Sequence, residues 1–542
     1  MALHGARFVS LMWPEHRRTF GILGILVSVS AVCPLSIAWA GKFLIDAVVS
    51  MRATAPGAEA GQTTQIIWWL SIEFVLVTLY VLNERTAASL RPLFCSRLST
   101  SISKILLIKT AGLSVADLEN PRIAELLARA RRDAPAKSLS ILQNYFQALR
   151  SFILVGAYSV VLVTFSPKIA ACLLAIAGCA LIAERKMVNS AFATSRTTST
   201  ASRWLAYYEY LGTTPEHSKE QRIFDLSGQL VARYDATAAG IFAAERAVAL
   251  RRLKWGTIMQ VASSGAFLGA YAEVIFAAAG SKISLGGMTL YVAGLRQCQT
   301  GFSALIATIA NIYEDNLYIS SLFEFLAVKP SLELVRPFNV APQQSCPNEQ
   351  GIRFVDVGFK YEGATSWTLR HVDAFIPPRK LTAIVGRNGS GKSTFMKLAT
   401  GMYGPTEGVV LLDGIPLGQW EKSRLKSRIT ALFQDFNRYQ LTIRENLGFG
   451  DLDREPDNQS IASSLAEVNA LYVANRLPRG FDSALGLWFE GGTDLSGGEW
   501  QKVALARALF RQAADIIVLD EPNASLDAKA RTELFDLVRK IG

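Results

Sequence analysis

The sequence predicts a multi-domain chain: a six-helix, all-α transmembrane domain followed by a P-loop α/β domain. Three observations carry this expectation. Apolar runs crowd the first 313 residues, and each is long enough for a bilayer crossing, which takes about 20 apolar residues per helix. A glycine-rich phosphate loop, Gly386 to Ser393, lies between a β-rich run and a helical one. Between the two halves, KPSLELVRPFNVAPQQSCPNEQ carries the Pro, Asn and Gln of a linker. The expected boundaries are 1–330 for the membrane domain, 331–349 for the linker and 350–542 for the nucleotide-binding domain.

Composition narrows the class. A chain of 542 residues exceeds one ordinary domain. Half the residues are hydrophobic, only 19% are charged, and the mean hydropathy is +0.24, which is too apolar for a typical soluble enzyme. The net charge of +11 would suit nucleic acid. The Lys and Arg residues, however, sit in loops between the apolar runs, where cytoplasmic loops of membrane proteins collect them. The expected partner is therefore the lipid bilayer and not nucleic acid. Six cysteines without CxxC pairing or companion histidines argue against a disulfide framework or a metal site.

The first apolar segment ends in Ala38-Trp39-Ala40, which mimics a signal-peptidase site. The run continues through Phe43, Leu44 and Ile45 and more segments follow, so it reads as the first membrane helix. Six segments follow from the pattern: 19–45, 66–90, 141–165, 168–185, 255–280 and 287–313. Basic residues mark one side: Arg17 and Arg18, then Arg129, Arg131 and Arg132, then Arg251, Arg252 and Lys254. The other connections carry one each: Arg52, Lys168 and Lys282. The amino terminus and both long loops are thus expected in the cytoplasm. An even number of crossings returns residues 314–542 to that side, as in a multi-pass protein of the cell (inner) membrane. The long loops themselves have helical periodicity and read as rods. Glu73, Glu273 and Arg296 lie at membrane depth, where ionisable residues contact substrate or pair to hold helices together.

The nucleotide site is read from two strands and two helices. Gly386-Arg387-Asn388-Gly389-Ser390-Gly391-Lys392-Ser393 fits G-x-x-x-x-G-K-[ST], with the strand LTAIV running in and a helix running out from Thr394. Its glycines let backbone N–H groups wrap phosphates, and the helix N-terminus adds positive potential. Lys392 is expected to neutralise phosphate oxygens and Ser393 to ligate Mg²⁺. Ile516 to Leu519 form a buried strand from whose carboxyl end Asp520 and Glu521 emerge. Asp520 is the expected Mg²⁺ carboxylate, and Glu521 the group that polarises the attacking water. Ser496, Gly497 and Gly498 precede the helical run WQKVALARAL and form a second phosphate-binding edge. Because Lys392 already takes the γ-phosphate, this edge makes sense against ATP bound to another copy.

These motifs resemble those of the ATP-binding cassette (ABC) transporters, and the chain is similar to an exporter-type half-transporter over nearly its whole length. The resemblance implies that Tyr361 stacks on adenine. Gln434 corresponds to the glutamine that senses Mg²⁺ and the attacking water, and joins Lys392 and Glu521 as a catalytic candidate. Ser525-Leu526-Asp527 resembles the loop that signals across a dimer. A second half-transporter, in a homodimer or heterodimer, is implied, with ATP closing the cassettes and hydrolysis reopening them. The implied function is ATP-driven export of a peptide, lipid-like or amphipathic compound. A lipid flippase and an ATP-binding regulatory half are the alternatives. LWFEGGTDLSGGEWQKVALARAL and SKEQRIFDL further resemble bacterial peptide and lantibiotic exporters. Asn523 and Arg379-Lys380 depart from the family pattern. No peptidase domain precedes the first helix, so leader cleavage is not expected. Exporters of this type carry a histidine after the dimer-signalling loop. The histidines here are His4, His16, His217 and His371, so the C-terminus reads as truncated. The 542-residue form is expected to bind ATP and hydrolyse it poorly.

Overall fold

The computed structural model describes residues 3–52, 59–330, 350–522 and, beyond these, positions 531, 532, 536 and 539. The predicted linker and the loop at Ser525-Leu526-Asp527 lie outside the described residues. The chain divides into two compact units, residues 1–111 with 122–328, and residues 112–121 with 329–542.

The first unit is all helix. Its elements are α1 (Leu3–Arg52) and α2 (Glu59–Ala111), then, after the short α3 (Val115–Glu119), α4 (Pro121–Phe165) and α5 (Pro167–Thr213). They are followed by α6 (Ser218–Ile223), α7 (Ser227–Ala279) and α8 (Leu285–Ala327). Each predicted apolar segment falls on one of the six long helices. Stretches long and apolar enough to cross a membrane are Arg7–Met51, Thr63–Ala111, Ser140–Phe165 and Ser227–Ala279. Helices α5 and α8 do not reach that hydropathy over their described residues; α8 is interrupted by Arg296, Gln297, Gln299, Glu314 and Asp315. The rods expected from the long loops are continuations of α2, α4, α5 and α7.

Several polar groups in this unit pair between helices, because an unpaired polar group in hydrocarbon costs several kcal/mol. Arg150 on α4 lies 3.3 Å from the Glu84 carboxylate on α2, donates to the Tyr80 hydroxyl at 3.2 Å, and Ser30 on α1 donates to the same Glu84. Asn83 donates to the Leu26 carbonyl at 2.8 Å. Buried Asp315 on α8 accepts from Ser140 and Asn144, both at 2.8 Å. At the start of α8, Asp46 accepts from the Gly286 N–H and the Ser284 hydroxyl, both at 2.9 Å. A Cβ on Gly286 would collide with the Lys42 carbonyl, so glycine lets α1 and α8 touch there. Glu273 accepts from Ser166 at 3.2 Å. No ion pair joins Glu73, Glu273 and Arg296 among the described residues; Glu–Arg pairs that do tether helices include Glu84–Arg150 across α2 and α4 and Glu184–Arg252 across α5 and α7.

The second unit is α/β. It contains β1 (Ile352–Phe359), β2 (Leu369–Ile376), α9 (Lys392–Ala399), β3 (Glu407–Leu412), β4 (Ile415–Pro416), α10 (Lys422–Arg428) and β5 (Ile429–Leu432). The chain continues through α11 (Ile443–Gly448), α12 (Asn458–Glu467), α13 (Leu471–Arg476), α14 (Gly497–Phe510) and β6 (Ile516–Leu519). An antiparallel sheet has the order β2-β1-β3-β4, and a second, parallel sheet pairs β5 with β6. One core packs Phe354, Phe359, Leu398, Tyr403 and Val410 over the antiparallel sheet; another packs Ile443, Ile461, Trp500 and Phe510 around α14. Arg428 joins the two sheets, donating to Asp413 at 2.6 Å and to Asp515 at 2.6 Å.

The short α3, which sequence reading placed inside the membrane domain, packs in this unit. Ser114 and Asp117 close a reciprocal capping box around it. Glu119 accepts from Lys397 at 3.0 Å and from the Tyr403 hydroxyl, while Asn120 donates to Glu362 at 2.9 Å. These bonds hold the Glu119 carboxyl below its usual range: burial pushes it up, and Tyr403 and Lys397 more than offset that.

Candidate nucleotide site

The phosphate loop is a built turn. Gly389 and Gly391 take φ of +79° and +91°, the left-handed region that glycine occupies without steric cost. A Cβ on Gly391 would lie 2.8 Å from a Leu369 methyl. Gly391 is the N-cap of α9 and contributes no side-chain cap, so the first N–H groups of that helix are not capped by a side chain. Lys392 folds back over the loop and donates to the carbonyls of Gly386 at 3.0 Å and Arg387 at 3.1 Å. Ser390 donates its N–H to Arg387 O, closing the turn.

The run before the loop differs from expectation. LTAIV was predicted as the incoming strand, but residues 381–385 have no ladder partner among the described residues and are exposed, Val385 at 91%. The reason is general: β preference measures fit to a paired, half-buried surface, so an apolar run without a neighbour has strand composition and no strand.

The carboxyl edge of the parallel sheet gathers the chemistry. Strands β5 and β6 run in register, Leu432 opposite Leu519, and Asp520 N–H donates to Leu432 O at 2.8 Å. Parallel strands finish at the same edge, which places Gln434 and Glu521 side by side: Gln434 Nε2 donates to Glu521 Oε2 at 2.8 Å. Glu521 has a φ of +47°, an uncommon conformation for a side-chain-bearing residue. Asp520 is 6% exposed, and its carboxylate accepts no hydrogen bond among the described residues. A carboxylate at this edge with no protein donor suits a cation, which fits the expected Mg²⁺ site. The Ser393 hydroxyl is exposed at the start of α9 and bonds no protein group among the described residues, which suits a ligand.

Tyr361 follows β1. Its ring meets Phe359 and Tyr403 edge-on, 4.9 and 5.7 Å between centroids, and its hydroxyl pairs with Thr394 at 3.0 Å. Thr394, where the helix leaves the loop, is thus tied to the aromatic expected beside the base.

The second phosphate edge is closed where the first is open. Ser496 is the N-cap of α14 in a full capping box with Glu499. Ahead of it, residues 485–493 form a compact turn, with Gly486 N–H to Thr493 O at 2.9 Å and Trp488 N–H to Gln440 at 2.7 Å. Leu487, Trp488 and Phe489 stand exposed on it. Sequence reading passed over Gln501, which donates from α14 to the Pro522 carbonyl and so ties the signature helix to the Asp520–Glu521 turn. It also passed over Arg476, which reaches Glu499 at 2.9 Å. Neither position belongs to a phosphate-loop pattern, and both become visible only through contact.

Comparison with known proteins agrees with this geometry. Residues 369–524 match the family model described as ABC transporter. The chain is 29% identical over 512 residues to the subtilin transport ATP-binding protein SpaT of Bacillus subtilis, covering 94% of this chain and 80% of that protein. It is 26% identical over 530 residues to the nisin transport ATP-binding protein NisT of Lactococcus lactis subsp. lactis, covering 97% and 86%. An ATP-dependent lipid A-core flippase of Alkalilimnicola ehrlichii is 31% identical over 260 residues, or 48% of this chain and 42% of that one. Among solved structures, a bacterial Atm1-family ABC exporter with ATP bound has the same fold, with a TM-score of 0.74 at 18% identity over 97% of this chain and 89% of that one.

Proposed function

We propose that this chain, whose fold and cassette are those of an ABC exporter half-transporter, moves an amphipathic peptide out across the cell membrane. ATP hydrolysis drives the export. The peptide class is supported by one observation: the two relatives named for subtilin and nisin transport align over 80% and 86% of their length. The lipid A-core flippase match spans less than half of either chain, which makes lipid the second reading.

The residues take the following parts. Backbone N–H groups of Gly389 to Ser393 and Lys392 bind the phosphates, Tyr361 meets the base, and Glu521, oriented by Gln434, polarises the attacking water. Ser393, Gln434 and Asp520 would hold Mg²⁺. When bound, that ion neutralises the phosphate charge that develops during transfer. A second half-transporter completes each site through Ser496, Gly497 and Gly498. Exposed Ile223 and Phe224 at the tip of α6, 77% and 66% accessible, offer further apolar surface to it.

Purified chain in proteoliposomes tests this reading. ATP hydrolysis stimulated by cationic amphipathic peptides, and lost in Glu521→Gln, is the expected result. Stimulation by lipid A and not by peptide would make the chain a flippase. Absence of turnover in any lipid would leave the regulatory reading.

A further inference from the structure

Three donors converge on one buried oxygen below the signature serine. Glu499 Oε2 accepts the Ser496 N–H at 2.8 Å, the Ser496 hydroxyl at 2.9 Å and the Arg476 guanidinium at 2.9 Å. The Glu499 side chain is 9% accessible, and that of Arg476, the last residue of α13, is 50% accessible. The hydroxyl that the proposed function assigns to a phosphate oxygen of the partner's ATP is therefore already committed. It points back into its own helix, at a full negative charge.

That arrangement has two physical consequences. The Ser496 hydroxyl has one proton, so donating to a triphosphate means withdrawing it from Glu499. Glu499 also places a carboxylate one turn behind an edge that must approach a polyanion, and like charges brought together in a desolvated contact oppose association. Arg476 answers both. It supplies Glu499 with a charge-assisted donor when the serine leaves, and it cancels the charge that the triphosphate would meet. Burial alone pushes the Glu499 carboxyl up; the Ser496 bonds and Arg476 more than offset that, so it stays ionised and needs a counter-charge.

We propose that Arg476 is a positioning residue for ATP-dependent closure: by pairing with Glu499 it frees the Ser496 hydroxyl to move from its own helix cap to the phosphate of the facing cassette. This rests on the exporter reading, in which Ser496 faces ATP held by a second copy. Arg476 touches neither nucleotide nor the reacting atoms.

The experiment is ATPase activity against ATP concentration for the full chain in proteoliposomes, with wild type, Arg476→Gln, Arg476→Lys, Glu499→Gln and the double variant Arg476→Gln/Glu499→Gln. Arg476→Gln raises the half-saturating ATP concentration by about tenfold, while the maximal rate changes less than about twofold. Arg476→Lys keeps the charge and stays within about threefold of wild type. Glu499→Gln removes the charge while keeping an acceptor for Ser496, and in the double variant it restores half-saturation to near wild type. A merely structural pair would instead lower the thermal midpoint and the maximal rate together, and Glu499→Gln would not rescue it. If wild type turns over ATP and Arg476→Gln leaves half-saturation unchanged, or if Glu499→Gln fails to rescue, the inference is overturned alone. A wild type without turnover overturns the exporter reading, and this inference falls with it.

Discussion

Two glycine-rich turns of the cassette lead into helices, and they stand in opposite states. At Gly386–Ser393 the N-cap is a glycine with no side chain to offer, so the first N–H groups of α9 remain available. At Leu495–Glu499 a serine and a glutamate cap α14 reciprocally, so the Ser496 hydroxyl and the N–H groups of Ser496 and Glu499 are already used. A helix start that keeps its donors is ready for an anion. One whose capping hydroxyl is committed must exchange that partner first, and the exchange sets a threshold. On the proposed function, the first turn suits ATP held by its own cassette, and the second suits conditional engagement from across an interface.

Substitutions can break or sharpen this contrast. The largest effect is expected at the open turn. Lys392→Ala removes the side-chain cation at the start of α9 and should lower ATP turnover by about 10²–10³-fold, with nucleotide binding lost in a fluorescent-ATP titration. Glu521→Gln should lower turnover by a similar factor, about 10²–10³, yet leave binding intact, because it acts on the water and not on the phosphate cradle. Binding lost in Glu521→Gln would erase that distinction. Gly391→Ala should cost about 1–3 kcal/mol in cassette stability, since φ of +91° and the Leu369 methyl both oppose a Cβ. Ser496→Ala at the closed turn should cost about 1 kcal/mol in thermal stability through the lost cap, with ATP binding at the open turn unchanged.

The smallest effect is a pH dependence. Glu499 and Glu445 both sit in capping boxes that hold their carboxyls below the usual range: Glu499 against its burial, through Ser496 and Arg476, and Glu445 through the Thr442 hydroxyl and N–H. A carboxyl lowered in the folded state contributes stability above its ordinary pKa and loses it as pH falls through the lowered value. Melting temperature should therefore hold down to about pH 4 and then decline, near where an unperturbed glutamate titrates. Glu499→Gln should flatten part of that acid limb.

Legibility differed between the two halves of the molecule for a physical reason. The glycine-rich turn was readable because its residues are contiguous: Gly389, Gly391, Lys392 and Ser393 are neighbours in the chain as in space. The same holds for Asp520 with Glu521, and for Ser496 with its helix. LTAIV failed as a strand because pairing is a property of the neighbour and not of the run. The charged residues at membrane depth were picked by hydropathy, which finds Glu73 and Arg296 in apolar surroundings. It does not find Glu84 and Arg150, whose pairing across α2 and α4 spans 66 positions in the chain.

Sequence alone determined the two-part architecture, the placement of apolar segments on long helices, the glycine-rich turn before α9 and the carboxylates at the end of β6. Each of these rests on periodicity or on contacts within a few residues. Tertiary structure decided the rest. It seated α3 against Lys397 and Tyr403, brought Gln434 to Glu521 by ending β5 and β6 at one edge, and tied Gln501 to Pro522. It also set Arg476 on Glu499, 23 positions away in the chain. A carboxylate's partner is chosen by packing, and packing is where a linear pattern carries no information.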